Sequence, residues 1–297
     1  MKRTKGYIAS ILSAAAYGSG PLIVTLAYRY GFGVNTVSFL RVLFPVPVLA
    51  LLVLLKKDED FRLSPRQALQ IFVLAVTGSA LTSLLLFASI RFIDTGIATA
   101  LNFSYPALVV LLDRLLYRQR ADRRQWIALG LCLAGVLMFC SPGGAFTWKG
   151  FFLALGSGLA FALYVLYMDR SGIMEAMGFH AFTFYFFLIS SLLLLPFALV
   201  SGELRDGAAL TGWLWVAVFA FVDGLAGTLL QEYGVNAVGG RAASILSAIE
   251  PVTCALLGAV FLREAITLRS AAGILLIVGA TVYLIAGGKS PGKTGGG

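Results

Sequence analysis

Apolar stretches about as long as a bilayer is thick recur along the whole chain, separated by short polar segments. A helix needs about 20 mainly apolar residues to cross the hydrocarbon core. On that rule the pattern predicts spans near Tyr7–Ala27, Val34–Leu55, Ala68–Phe92, Thr95–Tyr117 and Trp126–Ser141. Five more are expected near Gly150–Met168, Phe179–Ser201, Leu210–Leu230, Ala237–Leu262 and Leu268–Ala286. The first run follows the basic Met1–Lys5 but continues past Gly18 to Ala27, longer than the apolar part of a signal peptide, so it reads as an uncleaved span. What remains makes short loops and two tails. The expected fold is an all-α polytopic membrane protein of ten transmembrane helices.

Composition adds the exclusions. Of 297 residues 59% are hydrophobic and 12% charged, with mean hydropathy +0.89. A soluble domain carries roughly 25% charged residues, so a soluble enzyme and a disordered chain are both excluded. The net charge of +9 would suggest nucleic acid in a soluble protein. Here its distribution explains it: 16 of the 23 Lys and Arg fall on the side of the N-terminus, six fall opposite, and Arg41 lies inside span two. The richer side belongs in the cytoplasm, which predicts a multi-pass inner (plasma) membrane protein with both termini cytoplasmic. The bias comes almost wholly from the first half. Cys132, Cys140 and Cys254 lie inside apolar runs without paired spacing, so they read as packing residues and not as a disulfide framework. His180 is the only histidine and cannot alone build a metal site or a triad. Neither a metal nor a cofactor is implied, and the oligomeric state is left open.

The chain repeats itself. Ile97–Pro106 reads IATALNFSYP and Ala242–Pro251 reads AASILSAIEP, placing Thr99 and Asn102 opposite Ser244 and Ser247. An apolar stretch follows each proline, then Arg118-Gln119-Arg120 or Arg263-Glu264-Ala265, then a glycine-containing helix around Gly135 or Gly279. The offset, about 145 residues, also aligns spans one and six. Residues 7–141 and 149–286 are therefore read as two five-helix repeats, with 287–297 as a basic flexible tail. Five is odd, so the second copy enters the membrane from the opposite side. Inverted repeats of this kind place a substrate site near the midplane between the halves.

Each half resembles an EamA domain of the drug/metabolite transporter superfamily. The matching features are Gly18 with its small neighbours, Arg41, Pro106 and Pro251, and above all Glu250-Pro251 followed by Arg263-Glu264 and the Gly273…Gly279 helix. The resemblance runs from about Tyr7 to Ala286. It implies a ten-helix exporter of amino acids or other small metabolites with a central cavity lined by both halves. Gln119 departs from the pattern, because the first half of the family often carries an acid there, like Glu264 in the second.

Polar residues at membrane depth supply the candidate chemistry, since an ionisable group there must face protein or water. Glu250 lies near the middle of span nine and shares a helical face with Ser247, Ser244 and Cys254. In the first copy Tyr105 takes its place, above Asn102 and Thr99. Asp223 lies in mid-span eight with Gly227 and Gln231 on the same face, where glycine leaves room for a ligand or for close packing. Glu232 reads as a solvated cytoplasmic helix end. Arg41, roughly 10 Å from the outer end of span two, either snorkels or pairs with a carboxylate, and reads as a structural or gating ion pair. Tyr17, Tyr105 and Tyr164 could line the cavity with a hydrogen-bonding tip. Pro21, Pro106 and Pro251 are expected to hinge or kink their helices. Trp126, Trp213 and Trp215 read as interfacial anchors.

Gly287–Thr294 matches a phosphate-loop pattern but lacks the strand and helix that loop requires, so it reads as tail. The expected function is secondary active export of small metabolites, in particular amino acids or amine-bearing solutes, by alternating access and with proton coupling through Glu250. Its partners are thus a small-molecule substrate and the lipid bilayer. An exchanger of anionic or sugar-type metabolites ranks second, because no Lys lies in any span. An intramembrane enzyme is weakest, for want of a catalytic constellation.

Overall fold

The computed structural model describes residues 2–55, 62–90, 92–93, 98, 101–118, 122–138, 147–202, 210–261 and 268–286. Among them all regular structure is helical. The first half contributes α1 (Lys2–Arg29), α2 (Val34–Leu43), α3 (Pro45–Leu55), α4 (Pro65–Ala75), α5 (Thr82–Ile90), α6 (Tyr105–Tyr117) and α7 (Arg123–Leu137). The second contributes α8 (Trp148–Ser171), α9 (Ile173–Met177), α10 (Phe179–Val200), α11 (Leu210–Phe219), α12 (Thr228–Val238), α13 (Gly240–Leu246), α14 (Ile249–Phe261) and α15 (Leu268–Ala286). Among the described residues seven stretches are long and apolar enough to cross a membrane, and Ala271–Ala280 is a shorter apolar helix. Large side chains on the outside, such as Leu54 and Val200, are 77% and 89% exposed. Such a surface suits hydrocarbon, whereas water would drive it to aggregate.

Local chemistry explains where the helices start and stop. Ser64 and Gln67 form a reciprocal capping box at the start of α4, and the Thr147 hydroxyl accepts from the Gly150 N–H at the start of α8. Pro45 opens α3 directly after α2, where its missing N–H costs nothing. Span eight continues through Val238, well past the expected Leu230, and Gly239 at φ +86° turns the chain into α13 with no intervening loop. Pro21 lies inside the continuous helix α1, where it cannot donate to the carbonyl of Tyr17. Pro106 and Pro251 instead fall in the first turns of α6 and α14, each just after a turn, at Phe103-Ser104 and Ser247-Ala248. Spans four and nine are thus broken helices whose second segments begin next to the prolines, rather than single helices kinked at them.

The packing repeats as the sequence does. α1 packs on α11, α12 and α14 of the second half, while α8 packs on α5 and α6 of the first. α7 pairs with α15, and α10 pairs with α2 and α3. Wider π turns interrupt spans three and eight at Val76–Leu81 and Ala220–Gly227, and each begins at the matching point of its half. At the end of each π turn a backbone carbonyl accepts a hydrogen bond from a serine of the opposite half. Ser157 donates to Thr82 O at 2.8 Å, and Ser13 donates to Gly227 O at 2.7 Å. Both pairs lie in the interior, where an unpaired carbonyl would be costly.

Candidate functional site

At the centre of the bundle Arg41, on α2, places its Nε 2.5 Å from Oδ2 of Asp223, in the second π turn. The guanidinium carbon lies 5.9 Å from the Tyr17 ring centroid and 5.8 Å from that of Phe219, so two aromatic rings flank the cation. Glycines allow this approach. A Cβ on Gly20 would meet Asp223 Oδ1 at 2.6 Å, one on Gly224 would meet the Arg41 carbonyl at 2.7 Å, and one on Gly227 would meet the Tyr17 ring at 2.8 Å. The glycines beside Asp223 therefore serve close helix packing rather than leaving open space. Tyr17 Oη and Thr228 Oγ1 share a hydrogen bond of 3.2 Å.

Glu250 joins this group from the first turn of α14. It lies within electrostatic reach of Asp223 and Arg41, and its backbone carbonyl packs against Gly18 of α1. Arg41, Tyr17 and Glu250 are sunk among the helices yet half-buried, keeping some accessible surface. Tyr105 is buried, hydrogen-bonds Ser247 and also reaches the Glu250 field. Ser247 and Ser244 are buried and donate to carbonyls of their own helix, Ala243 O and Arg241 O. Tyr164 is buried against Gly78 of the first π turn and lies within electrostatic range of Arg41, Tyr17 and Glu232. Asn102 turns elsewhere: its Nδ2 donates to Ser157 Oγ at 2.8 Å, the same serine that satisfies Thr82 O. Seven of the candidates thus meet in one region, Ser244 lies on the broken helix just below, and Asn102 braces α8. Thr99 and Cys140 lie outside the described residues, as does the tail 287–297.

Two features escaped the reading of the sequence. Glu232 is not a solvated helix end. It is 0% exposed, and its Oε2 accepts from the Thr183 hydroxyl at 2.6 Å. The reason is Gly239: the helix runs on past the expected boundary and carries Glu232 inside. The second is an ion cluster near the ends of spans four, six and nine. Asp113, 1% exposed, binds Arg170 Nη2 at 2.6 Å and Arg241 Nε at 2.8 Å. Arg241 also donates to Gln125 Oε1 at 3.3 Å, and Arg170 lies 5.1 Å from the Tyr117 ring. The signal was an acid inside a span, the same one that singled out Asp223.

The central region carries two acids, Asp223 and Glu250, beside one arginine, Arg41. Arg41 is paired with Asp223, and among the described residues Glu250 forms no ion pair of its own. Among the described residues no group of three or more His, Cys, Asp or Glu could hold a metal ion.

This fold, with polar groups buried between two sets of helices, defines a polytopic all-helical membrane protein. The EamA-like transporter family matches residues 4–141 and again 148–286, and the chain belongs to that family, within the drug/metabolite transporter superfamily. An uncharacterized transporter of Archaeoglobus fulgidus is 28% identical, with 92% of this chain and 93% of that protein covered. The uncharacterized inner membrane transporter YicL of Salmonella typhimurium is 25% identical over 94% of this chain and 95% of its own length. An uncharacterized transporter of Synechocystis is 30% identical over 65% of this chain but only 59% of its own length. One solved crystal structure aligns with a TM-score of 0.78 over 95% of this chain and 96% of that one, at 16% identity, and shows the shared fold. The family and these names indicate a membrane transporter rather than an enzyme.

Proposed function

We propose that the protein is a secondary active exporter of amine-bearing small metabolites such as amino acids. It sits in the inner membrane with both termini cytoplasmic and works by alternating access between two five-helix halves, residues 7–141 and 149–286. The observation that carries the reading is the charge balance of the centre: one cation, Arg41, already paired with Asp223, and a second acid, Glu250, beside them. A substrate ammonium would supply the missing positive charge, and a proton would supply it when the substrate leaves. Binding of one then excludes the other, which is the linkage an antiporter needs. Tyr17, Tyr105 and Tyr164 offer apolar area with hydroxyl tips to such a solute. Ser247 and Ser244 line the broken helix beneath it, and Asn102 braces α8 at the edge of the site. The breaks before Pro106 and Pro251 provide the points where the halves can flex. A substrate carrying only anionic groups would meet no unpaired cation at the centre, which favours the amine reading over anion exchange.

The test is Glu250→Gln in proteoliposomes, with pH-gradient-driven flux of labelled amino acids and amines. The exchange keeps size and most hydrogen bonding but removes titration. The expected result is loss of uphill transport with the protein folded and inserted. Wild-type rates with unchanged pH dependence would refute the coupling role, and flux of anions alone would refute the substrate class.

A further inference from the structure

The two halves differ sharply at one pair of matching places. In the second half Gln231 and Glu232 are both 0% exposed, as is Ser10 of α1, which packs against Gly234 of their helix. Glu232 Oε1, Gln231 Nε2 and Ser10 Oγ have no hydrogen-bond partner. Gln231 Oε1 accepts from Ser13, at 3.4 Å, and Glu232 Oε2 accepts from Thr183. Shifting by the repeat offset turns Gln231, Glu232 and Ser10 into Leu86, Phe87 and Ala154. Leu86 and Ala154 belong to a small apolar cluster with Ile93 and Ala98. At those two matching places the first repeat is therefore apolar. In the second, the place around Glu232 buries a carboxyl, a carboxamide and a hydroxyl with unused capacity.

Buried polar atoms are rarely left unpaired in proteins, and unused capacity on a carboxyl is the sharpest exception here. Thr183, on α10, gives Oε2 its one hydrogen bond. Tyr17, on α1, and Tyr164, on α8, lie within electrostatic reach of Glu232. Both are phenols that carry no positive charge. Among the described residues Glu232 forms no ion pair with any Lys, Arg or His. A bare carboxylate at membrane depth without a cation is strongly disfavoured, so the site has to acquire positive charge from outside. Glu232 stands nine residues beyond Asp223 on the same span and six residues before its end at Val238. At 1.5 Å per residue this is ~13 Å from the central pair and ~9 Å from the helix end. It is a station between the two.

We infer that Glu232 is a second proton-binding carboxyl, apart from Glu250, lying between the centre and the cytoplasmic end of span eight. The step is a simple association: a proton from cytoplasmic water adds to Oε1, giving a neutral carboxylic acid, and the reverse step returns it. Thr183 holds Oε2 so that Oε1 stays free to exchange. The consequence for coupling rests on the transport reading, but proton binding by Glu232 does not.

The experiment is pH-difference infrared spectroscopy of the full chain in lipid nanodiscs, reading the carbonyl band of protonated carboxyl groups. The wild type should show a band component that titrates and is missing in Glu232→Gln but present in Glu250→Gln. Thr183→Val, which keeps the acid and removes its only hydrogen-bond donor, should shift that component in frequency and move its titration. The same band in wild type and Glu232→Gln would overturn the assignment, as would a component that follows sodium concentration rather than pH. If Glu232→Gln fails to fold, an unshifted band in Thr183→Val overturns it. Failure of amine transport with this band intact would sink the proposed substrate and leave the proton site standing.

Discussion

Removing Asp223 and removing Arg41 should have unequal effects, and the inequality tests the physical reading of the centre. Asp223→Asn leaves the guanidinium deep in the bundle with no bonded counter-ion. Arginine cannot shed its proton, so this charge cannot be relieved. Losing one partner of a buried pair costs about 3–5 kcal/mol. Arg41 keeps 21% of its side-chain surface accessible, and the two flanking rings and Glu250 remain, so a loss near the lower end, roughly 3 kcal/mol, is expected. Arg41→Met instead leaves carboxyl groups, which can neutralise themselves by taking up a proton, so its cost should be about 1–2 kcal/mol. The double variant Arg41→Met with Asp223→Asn replaces the pair by neutral groups of similar volume. It should recover much of the loss, with a coupling energy of about 1–3 kcal/mol. Equilibrium unfolding in mixed micelles at one fixed pH supplies all four corners of the cycle. Additive losses, or a larger cost for Arg41→Met than for Asp223→Asn, would refute the reasoning.

Two further outcomes follow from contacts elsewhere. Asp113→Asn leaves Arg170 and Arg241 without their shared acid, which should loosen the junction that holds Cys132 within 3.9 Å of the Ile245 carbonyl. Maleimide labelling of Cys132, with Cys140 and Cys254 replaced by serine, should accelerate about tenfold, equal to ~1.4 kcal/mol of easier opening; an unchanged rate would show that the cluster restrains nothing. Gly130 and Gly135 lie on the same helix, but a Cβ at Gly130 meets nothing within 4 Å, whereas one at Gly135 would meet Ile277 at 2.6 Å and the Gly273 carbonyl at 2.9 Å. Gly135→Ala should destabilise by about 1–3 kcal/mol and Gly130→Ala should be neutral or stabilising by up to ~1 kcal/mol, and equal thermal shifts would contradict the α7–α15 packing.

What hydropathy makes legible is length, and length carried most of the fold. Apolar runs of bilayer thickness, the repeated proline and the depth of Arg41 required nothing beyond one pass along the chain. Glu232 was hidden because the end of span eight is set by a backbone dihedral at Gly239 and not by polarity, so the hydropathy pattern ends the helix too soon. Asp113 was hidden for a related reason: a charge a few residues from a span end looks interfacial until its two arginines, 57 and 128 positions away, are seen around it. The stripe carrying Asn102 gave a direction on the helix but no partner, and Ser157 is reached only through the fold. The π turns were not read from the pattern, and the serines that bond beside them come from the opposite half.

The repeat also shows where the two halves were allowed to diverge. Gly20 faces Asp223 in one half, and at the positions shifted by the repeat Tyr164 faces Gly78. Small against large has been exchanged for large against small, so the volume is kept while the chemistry is not: one contact carries a charge and the other a phenol. Volume-conserving exchange is what close packing tolerates best, which explains how an ion pair could enter one half without deforming the scaffold. The Asp113 cluster has no such mirror image, because the shifted positions of Asp113, Arg170 and Arg241 are Gly258, Leu26 and Gly96. A frame with near-symmetric backbone contacts but a buried ion cluster in one place and not in its mirror position has no symmetry that would make its two exchanged arrangements equal in free energy. If the halves exchange arrangements as proposed, that unmirrored cluster contributes to the difference in free energy between them, and a ligand can shift the balance only by its difference in affinity for the two.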